Sequence, residues 1–355
     1  MPMSVLFIGG GVFIGRHLVE EAVRRGHQVT VMRRGLSSSA QSLEGTTTEW
    51  RDRSEGFGEL TAQRWDLVID TCGYVPSQVQ HSAAELNCGT YVLISSISVY
   101  RDFSEPTPVD APTVAPAMDG PLDGTSYGGL KAGCERALAE ARPKGTNLIV
   151  RSGLVVGPHD ISSRGRYRGK EQASTHLHYD RFSGRFPYWP WRFSRGGVIA
   201  VPGAHQSPLQ LLDVRDLAEW LFDILDLGGS GVLNAVGPQI SWGDLIEACA
   251  SLIGDSKDES RPRVCWIPED LLVAADVPPY TGLPIWAPET AETRWLHRVP
   301  AGGFEAGQRS ITETVQAVSD WLHHGSMDSR LLLGGYELSR EREQEIIGRH
   351  LAASR

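Results

Sequence analysis

Seven residues near the amino terminus, Gly9-Gly10-Gly11-Val12-Phe13-Ile14-Gly15, constrain the fold of this chain more than any other segment. Before them runs Val5-Leu6-Phe7-Ile8, a short apolar stretch typical of a strand buried on both faces. After them, residues 14–25 place Leu18, Ala22 and Val23 on one helical face, and Gly26 supplies the stop. A dinucleotide-binding crossover requires a glycine-rich turn leading from a strand into a helix. The glycines allow a tight turn and close backbone approach, while the helix amino terminus offers N–H groups to a pyrophosphate. Gly9, Gly10, Val12, Phe13, Ile14 and Gly15 are accordingly the candidate pyrophosphate-binding residues. The plainer alternative is an ordinary glycine-rich turn with no ligand.

Strand and helix signals go on alternating through the first half. Residues 28–32, 66–70, 91–96 and 148–150 read as strands, and 77–86 and the segment beginning at Tyr127 read as helices. Residues 36–48, rich in Ser, Gly and Thr, read as loop, as do 104–125, rich in Pro, Asp and Thr. Such alternation implies a parallel sheet covered by helices on both faces. Strands are expected again at 198–201, 209–212, 232–236 and 264–267, with helices at 214–227, 242–253 and 337–351. The expected fold class is α/β, a Rossmann doubly wound parallel sheet with a smaller, interleaved C-terminal substrate lobe. Residues 1–157 would form the nucleotide-binding domain, with 205–236 returning to it. Residues 158–204 and 237–325 would form the substrate lobe and lid, and 326–355 a C-terminal helix extension.

Composition narrows the setting. A chain of 355 residues with 41% hydrophobic content can bury a sizeable core. Its net charge of −9 argues against general affinity for nucleic acid or membrane surfaces. The five cysteines are scattered, with no C-x-x-C pair, so neither a disulfide framework nor a zinc ribbon is indicated. No basic segment followed by an apolar run opens the chain, and no apolar run approaches the roughly 20 residues of a membrane span. A soluble, cytoplasmic protein is expected, with a small-molecule substrate and no membrane partner.

Three groups carry candidate chemistry. At the end of the second strand, Arg33 and Arg34 stand where a carboxylate would bind ribose hydroxyls; arginine there suits a 2′-phosphate instead and favours NADP(H) over NAD. Asp52, after the expected third strand, is placed to accept from an adenine amino group. Tyr127 and Lys131 lie one turn apart on a helix whose apolar stripe is Leu130, Cys134, Ala137, Leu138 and Ala141. They fall within or beside that stripe, and a lysine facing inward needs a partner or a task. A nearby ammonium favours a phenolate. Tyr127 would then exchange a proton with a substrate oxygen while hydride moves at the carbon. Ser96, at a neighbouring strand end, would hold the same oxygen. The plain alternative is a core tyrosine beside a lysine paired with Glu135.

These motifs together resemble the extended or atypical short-chain dehydrogenase/reductases, the NAD(P)-dependent epimerase/dehydratase family. The matching segments also include Arg51-Asp52-Arg53, Asp70-Thr71, Ser95-Ser96-Ile97-Ser98-Val99-Tyr100, Gly157-Pro158-His159-Asp160, Asp213 to Ala218 and Asn234-Ala235-Val236-Gly237. The resemblance implies Tyr127 as acid/base, Lys131 as the group that binds the nicotinamide ribose, and Ser96 as the residue polarising the substrate oxygen, with Ser98 nearby. It implies Thr71 and Cys72 beside the cofactor, and homodimers are frequent in the family. Three positions depart from the pattern: Val12 at the central fingerprint glycine, Arg101 after Val-Tyr, and Ser152 after Arg151.

Residues 158–197 carry eight basic side chains against three acidic ones, with Phe182, Phe186, Tyr188, Trp189, Trp191 and Phe193 among them. They read either as a lid over a large substrate or as core aromatics with solvated arginines. His159-Asp160 and His176-Leu177-His178 lack the further paired ligands a metal needs, so no metal is expected. The leading expectation is NADPH-dependent reduction of a carbonyl on a bulky small molecule, with aromatic ones among the options, as in a natural-product ketoreductase. The enzymatic alternative is a nucleotide-sugar epimerase or dehydratase that keeps NAD bound. The alternative from another class is a non-catalytic nucleotide- or RNA-binding member of the same family.

Overall fold

The computed structural model describes residues 1–34, 43–104, 107–120, 126–160, 185–253, 262–280, 282–289, 308–324 and 338–353. Seven strands form one sheet: β1 (Ser4–Ile8), β2 (Gln28–Arg33), β3 (Thr46–Trp50), β4 (Trp65–Asp70), β5 (Cys88–Ser96), β6 (Thr146–Ser152) and, from much later in the chain, β10 (Gly231–Ala235). Their order is β10-β6-β5-β4-β1-β2-β3, and all six pairings are parallel. The chain runs outward from β1 through β2 to β3, then returns to β4 on the other side of β1. This reversal opens a crevice at the carboxyl ends of β1 and β4, where open α/β sheets bind their ligands.

Parallel strands need crossovers, and the helices supply them on both faces. On one face, α1 (Phe13–Arg24) sends Leu18, Val19 and Ala22 into a core shared with Leu217, Leu221 and Phe222 of α5 (Val214–Asp226). On the other, Val79 and Ala83 of α2 (Pro76–Glu85) pack with Cys134 and Leu138 of α3 (Tyr127–Ala141). Strand β3 begins at Thr46, inside the segment expected to be loop. Its threonines are good edge-strand residues, and Thr46 to Thr48 pair with Val29 to Val31.

A second apolar core lies beyond β6. It is built around β7 (Leu154–Val156), α4 (Tyr188–Ser194), β8 (Val198–Pro202), β9 (Pro208–Asp213), β11 (Gln239–Ser241), α6 (Trp242–Ser251), β12 (Arg263–Ile267), α7 (Glu269–Ala274) and α8 (Ile311–His324). Phe186, Tyr188, Trp189 and Phe193 are buried in this core, so these four aromatics pack the lobe rather than lie over a ligand. Residues 161–184, the rest of the basic-aromatic stretch, lie outside the described residues. The last helix, α9 (Arg340–Ala353), enters the same core through Ile346 and Ile347. Among the described residues, no helix is long and apolar enough to cross a membrane.

Candidate active site

The glycine-rich turn sits at the mouth of the crevice. Gly9 and Gly10 have φ of 102° and 83°, values that L side chains rarely adopt. A Cβ on Gly15 would fall 2.7 Å from the Gly10 Cα, so the helix can start this close to the turn only with glycine there. Phe13, the first residue of α1, holds φ at 40° with its side chain buried, a left-handed conformation that costs energy outside glycine. Val12 precedes it as the N-cap, with its side chain exposed to solvent and no side-chain cap bond. The first turn of α1 carries no acidic residue, so its positive end is not neutralised locally. A glycine-lined turn of this shape, against an uncapped helix start, fits a pyrophosphate.

Thr71 and Cys72 follow β4 and face this turn from below. The Thr71 hydroxyl accepts from the Gly10 N–H at 3.2 Å and donates to the Ile8 carbonyl at 3.1 Å. It ties the two strand ends at the crevice together. The Cys72 thiol points at the Ile8 carbonyl, 3.4 Å away, and burial pushes its pKa up to about 11, so it is held as an inert thiol.

Arg33 and Arg34 stand at the end of β2. The Arg33 guanidinium stacks over the Trp50 ring, 4.7 Å from its centroid, and a Cβ on Gly11 would meet its Nη1 at 3.2 Å. It therefore packs against the glycine turn. Arg34 is half exposed, with Nη1 3.8 Å from Asp52 Oδ2. Asp52 caps the short helical turn Arg53–Glu55 by accepting from the Ser54 N–H and hydroxyl. One of its oxygens is thus already engaged, and the other faces Arg34.

The Tyr127 and Lys131 side chains share the other side of the crevice. Lys131 is buried, and its ammonium donates to the carbonyls of Gly73 at 2.9 Å and Ile94 at 2.8 Å. It lies 4.6 Å from the Tyr74 ring centroid and 6.0 Å from that of Tyr127. Glu135 is not its partner. That carboxylate accepts from Arg151 at 2.7 Å and from the Ser95 hydroxyl at 2.5 Å, all three buried. Ser96 caps the turn Ile97–Val99, accepting from the Ser98 N–H and donating to the Ser98 hydroxyl, both at 3.1 Å. Helix α3 starts against this turn, since a Cβ on Gly128 would fall 2.2 Å from the Ser98 carbonyl oxygen. Ser96, Ser98, Tyr127 and Lys131 thus converge where β5 ends and α3 begins.

Two features escape the sequence. Arg53 lies buried beneath the β4 end, donating to both oxygens of Asp70, to the Cys72 and Gln78 carbonyls and to the Ser82 hydroxyl. Burial works against its charge, but the Asp70 carboxylate raises its pKa above the usual arginine value. Tyr91 donates to Asp70 in the same network. The Arg51-Asp52-Arg53 segment is legible as a motif, but nothing in it says that the second arginine turns inward. Tyr100 likewise turns inward and donates to Asn234 at 2.6 Å, joining two motifs far apart in the chain. His159 is not near a metal-binding set; it packs between His17 and Trp321, and Asp160 pairs with Arg185. Among the described residues, no group of three His, Cys, Asp or Glu side chains is placed to hold a metal.

No protein-family model matches the chain. The chloroplast stem-loop binding protein of 41 kDa b from Arabidopsis thaliana is 25% identical over 281 residues, covering 72% of this chain and 65% of that protein. The chain thus spans less than two thirds of the length of this curated relative. Among solved structures, the Bordetella bronchiseptica enzyme WbmH in complex with NAD+ superposes with a TM-score of 0.62 at 17% identity, covering 92% of this chain and all of that one. UDP-glucuronic acid 4-epimerase from Bacillus cereus in complex with NAD gives 0.58 at 15%, covering 90% and 98%. At these identities the likeness establishes a shared fold.

Proposed function

From a chain that carries the fold of the extended short-chain dehydrogenase/reductases, the NAD(P)-dependent epimerase/dehydratase family, we propose an enzyme that moves hydride between a nicotinamide cofactor and an alcohol or carbonyl carbon of a nucleotide sugar. The observation that carries the proposal is the placement of Lys131. Its buried ammonium is held by two backbone carbonyls at the crevice, one helical turn from Tyr127 and on the same side as the Ser96–Ser98 hydroxyls. Simple packing gives no reason to bury an ammonium there, since burying a charge is costly without a task or a carboxylate. A nucleotide sugar is favoured over other substrates because the solved neighbours include UDP-sugar 4-epimerases and an NDP-hexosamine 5,6-dehydratase.

A bound nicotinamide supplies the hydride acceptor and donor at the substrate carbon. Everything else falls to residues of this chain. The glycine turn and the start of α1 receive the pyrophosphate, and Thr71 fixes that turn to β4. Tyr127 takes the proton of the substrate hydroxyl as its carbon is oxidised and returns it on reduction. Lys131 binds the nicotinamide ribose and faces the phenol ring. Ser96 and Ser98, bonded to each other, orient the substrate oxygen. In an epimerase or dehydratase, the carbonyl formed in this way is the species on which the second half-reaction acts.

Arg33 and Arg34 favour a second reading, NADPH-dependent reduction of a carbonyl on a bulky small molecule. Cationic side chains at the end of β2 suit the 2′-phosphate that distinguishes NADP(H) from NAD(H). The aromatic cluster no longer speaks for an aromatic substrate, since its described members Phe186, Tyr188, Trp189 and Phe193 belong to the core and Trp191 packs against it. The stem-loop-binding relative raises RNA as a further ligand class, and the net charge of −9 speaks against it.

The test is to release the nucleotide retained by the purified protein and identify it, then to assay the protein on UDP-glucose and UDP-glucuronic acid and, with added NADPH, on a panel of ketones. Retained NAD with interconversion of a UDP-sugar supports the first reading. NADPH consumption with a ketone and no retained nucleotide would replace it with the second, and salt-sensitive binding of a stem-loop RNA with neither activity would sink both.

A further inference from the structure

Lys131 is held by more of the chain than its two hydrogen bonds. An ammonium has three N–H donors, and two are committed here to the Gly73 and Ile94 carbonyls. Among the described residues no carboxylate forms an ion pair with it, because Glu135, one turn further along α3, is taken by Arg151 and Ser95. Beyond the two carbonyls, the ammonium lies over the face of Tyr74, whose ring centroid is 4.6 Å from Nζ. That is well inside the roughly 6 Å range of a cation–π contact, whereas the Tyr127 ring at 6.0 Å sits at its limit.

The segment that brings Tyr74 there is built for close placement. The turn between β4 and α2 presses against β5 so tightly that a Cβ on Gly73 would fall 2.6 Å from Leu93 Cδ1. The Tyr74 N–H closes back onto the Cys72 carbonyl at 2.9 Å. From beneath, Arg53 donates to that same Cys72 carbonyl at 3.1 Å and to Gln78 at 3.0 Å in the first turn of α2. One buried guanidinium therefore fastens the start of the Cys72–Tyr74 turn to the first turn of α2. The turn delivers a carbonyl and an aromatic face to Lys131 side by side, and Tyr74 is only half-buried, so its ring borders the crevice.

We propose that Tyr74 is a positioning residue for Lys131, its ring face holding the ammonium in the orientation that leaves the third N–H for the nicotinamide ribose. The inference rests on the reading of Lys131 as a cofactor-binding residue. Tyr74 touches the lysine rather than the reacting atoms, and it is the π face, not the phenolic hydroxyl, that does the holding.

The experiment is equilibrium binding of NADPH and of NADH to the full chain, followed by energy transfer from protein tryptophan to the reduced nicotinamide. Variants are Tyr74→Phe, Tyr74→Leu and Lys131→Met, each checked for an unchanged melting transition. Tyr74→Leu is expected to weaken the tighter of the two cofactors on the order of 3- to 30-fold, and Tyr74→Phe to restore binding to within about twofold. Where Tyr74→Leu does not fold, phenylalanines carrying one, two and three ring fluorines at position 74 keep the shape while draining the π face, and affinity should fall stepwise along the series. Loss of binding in Lys131→Met with none in Tyr74→Leu or along the fluorine series would overturn the inference and leave the reading of Lys131 standing. Loss in Tyr74→Phe equal to that in Tyr74→Leu would overturn it as well. Unchanged binding in Lys131→Met would overturn both.

Discussion

Glu343, on the last helix, accepts from the Arg192 guanidinium at 2.9 Å inside the second lobe, where both side chains are 2% exposed. The pair is embedded in further bonds. Arg192 also donates to the Gly196 and Val198 carbonyls, and Glu343 accepts from the Ala200 N–H and from Arg340. Removing one partner of such a pair strands a buried charge, at a cost of about 3–5 kcal/mol. Glu343→Leu alone and Arg192→Met alone should each lower stability by that order in urea unfolding. The double variant should recover much of the loss, because two apolar side chains leave no charge stranded. Equal destabilisation in all three would show that the lobe is not organised around this pair.

The second prediction concerns Tyr127. If it carries the proton, Tyr127→Phe should cut turnover by roughly 10²–10⁴-fold while leaving the affinity for the nicotinamide nucleotide within a few-fold of the parent. The ring itself remains, and with it the packing of the first turn of α3 against Ser98. Kinetics on whichever UDP-sugar or ketone proves active, beside a binding titration, separate the two effects. Parent-like rates in the variant would remove the phenol from the chemistry.

At the other end of the crevice, the second reading proposed above puts cofactor choice on Arg33 and Arg34. Each charge-assisted bond to a 2′-phosphate contributes about 1.5–3 kcal/mol. Arg33→Ala with Arg34→Ala should therefore weaken NADPH by at least about tenfold and NADH much less. Trp50 stacks on Arg33 from the neighbouring strand position, so Trp50→Ala should produce a smaller loss in the same direction. Comparing the two dissociation constants in each variant checks this. Equal losses for the two nucleotides would mean that the arginines do not read the phosphate.

Much of this architecture is legible in the sequence because it is local. The glycine turn, its flanking strand and its helix lie within about twenty residues, and Tyr127 and Lys131 lie on one helical turn. What the sequence hides is pairing across distance. Glu135 sits one turn from Lys131 and looks like its partner, but Arg151 arrives from β6 and takes it. Arg53 shows in the sequence only as part of a motif, and Arg192 reads equally well as a solvated charge, until Asp70 and Glu343 are brought to them. The start of β3 reads as loop because an edge strand of threonines lacks the apolar run that marks the central strands. The aromatics after residue 185 carry no periodicity that separates a lid from a core, and only packing decides it.

The junction between the two cores makes a prediction about pH. His159 adopts φ of 63° in the Gly157-Pro158-His159-Asp160 turn, with its ring 4.9 Å from the ring centroid of Trp321 and 5.8 Å from that of His17. His17 in turn contacts the Pro158 carbonyl through Nε2 at 3.0 Å. Burial, then the charges of Arg16 and His17, lowers the His159 pKa to about 3, and burial lowers that of His17 as well. The His159 ring is thus neutral in the folded state at pH values where the unfolded chain, with histidines near 6.5, takes up protons, and His17 takes one up less readily than in the unfolded chain. The folded protein binds fewer protons in that window, so its stability is complete above about pH 6.5 and declines as pH falls toward 3. The slope contributed by one such histidine is at most about 1.4 kcal/mol per pH unit. Between pH 6.5 and 5 the carboxylates with lowered pKa, among them Asp213 and Glu21, remain ionised in both states and add little. Urea unfolding at pH 7, 6 and 5 should therefore show a falling midpoint that flattens in His159→Gln, which keeps a polar side chain of similar reach without the titration. A midpoint as steep in that variant as in the parent would place the pH dependence on other groups.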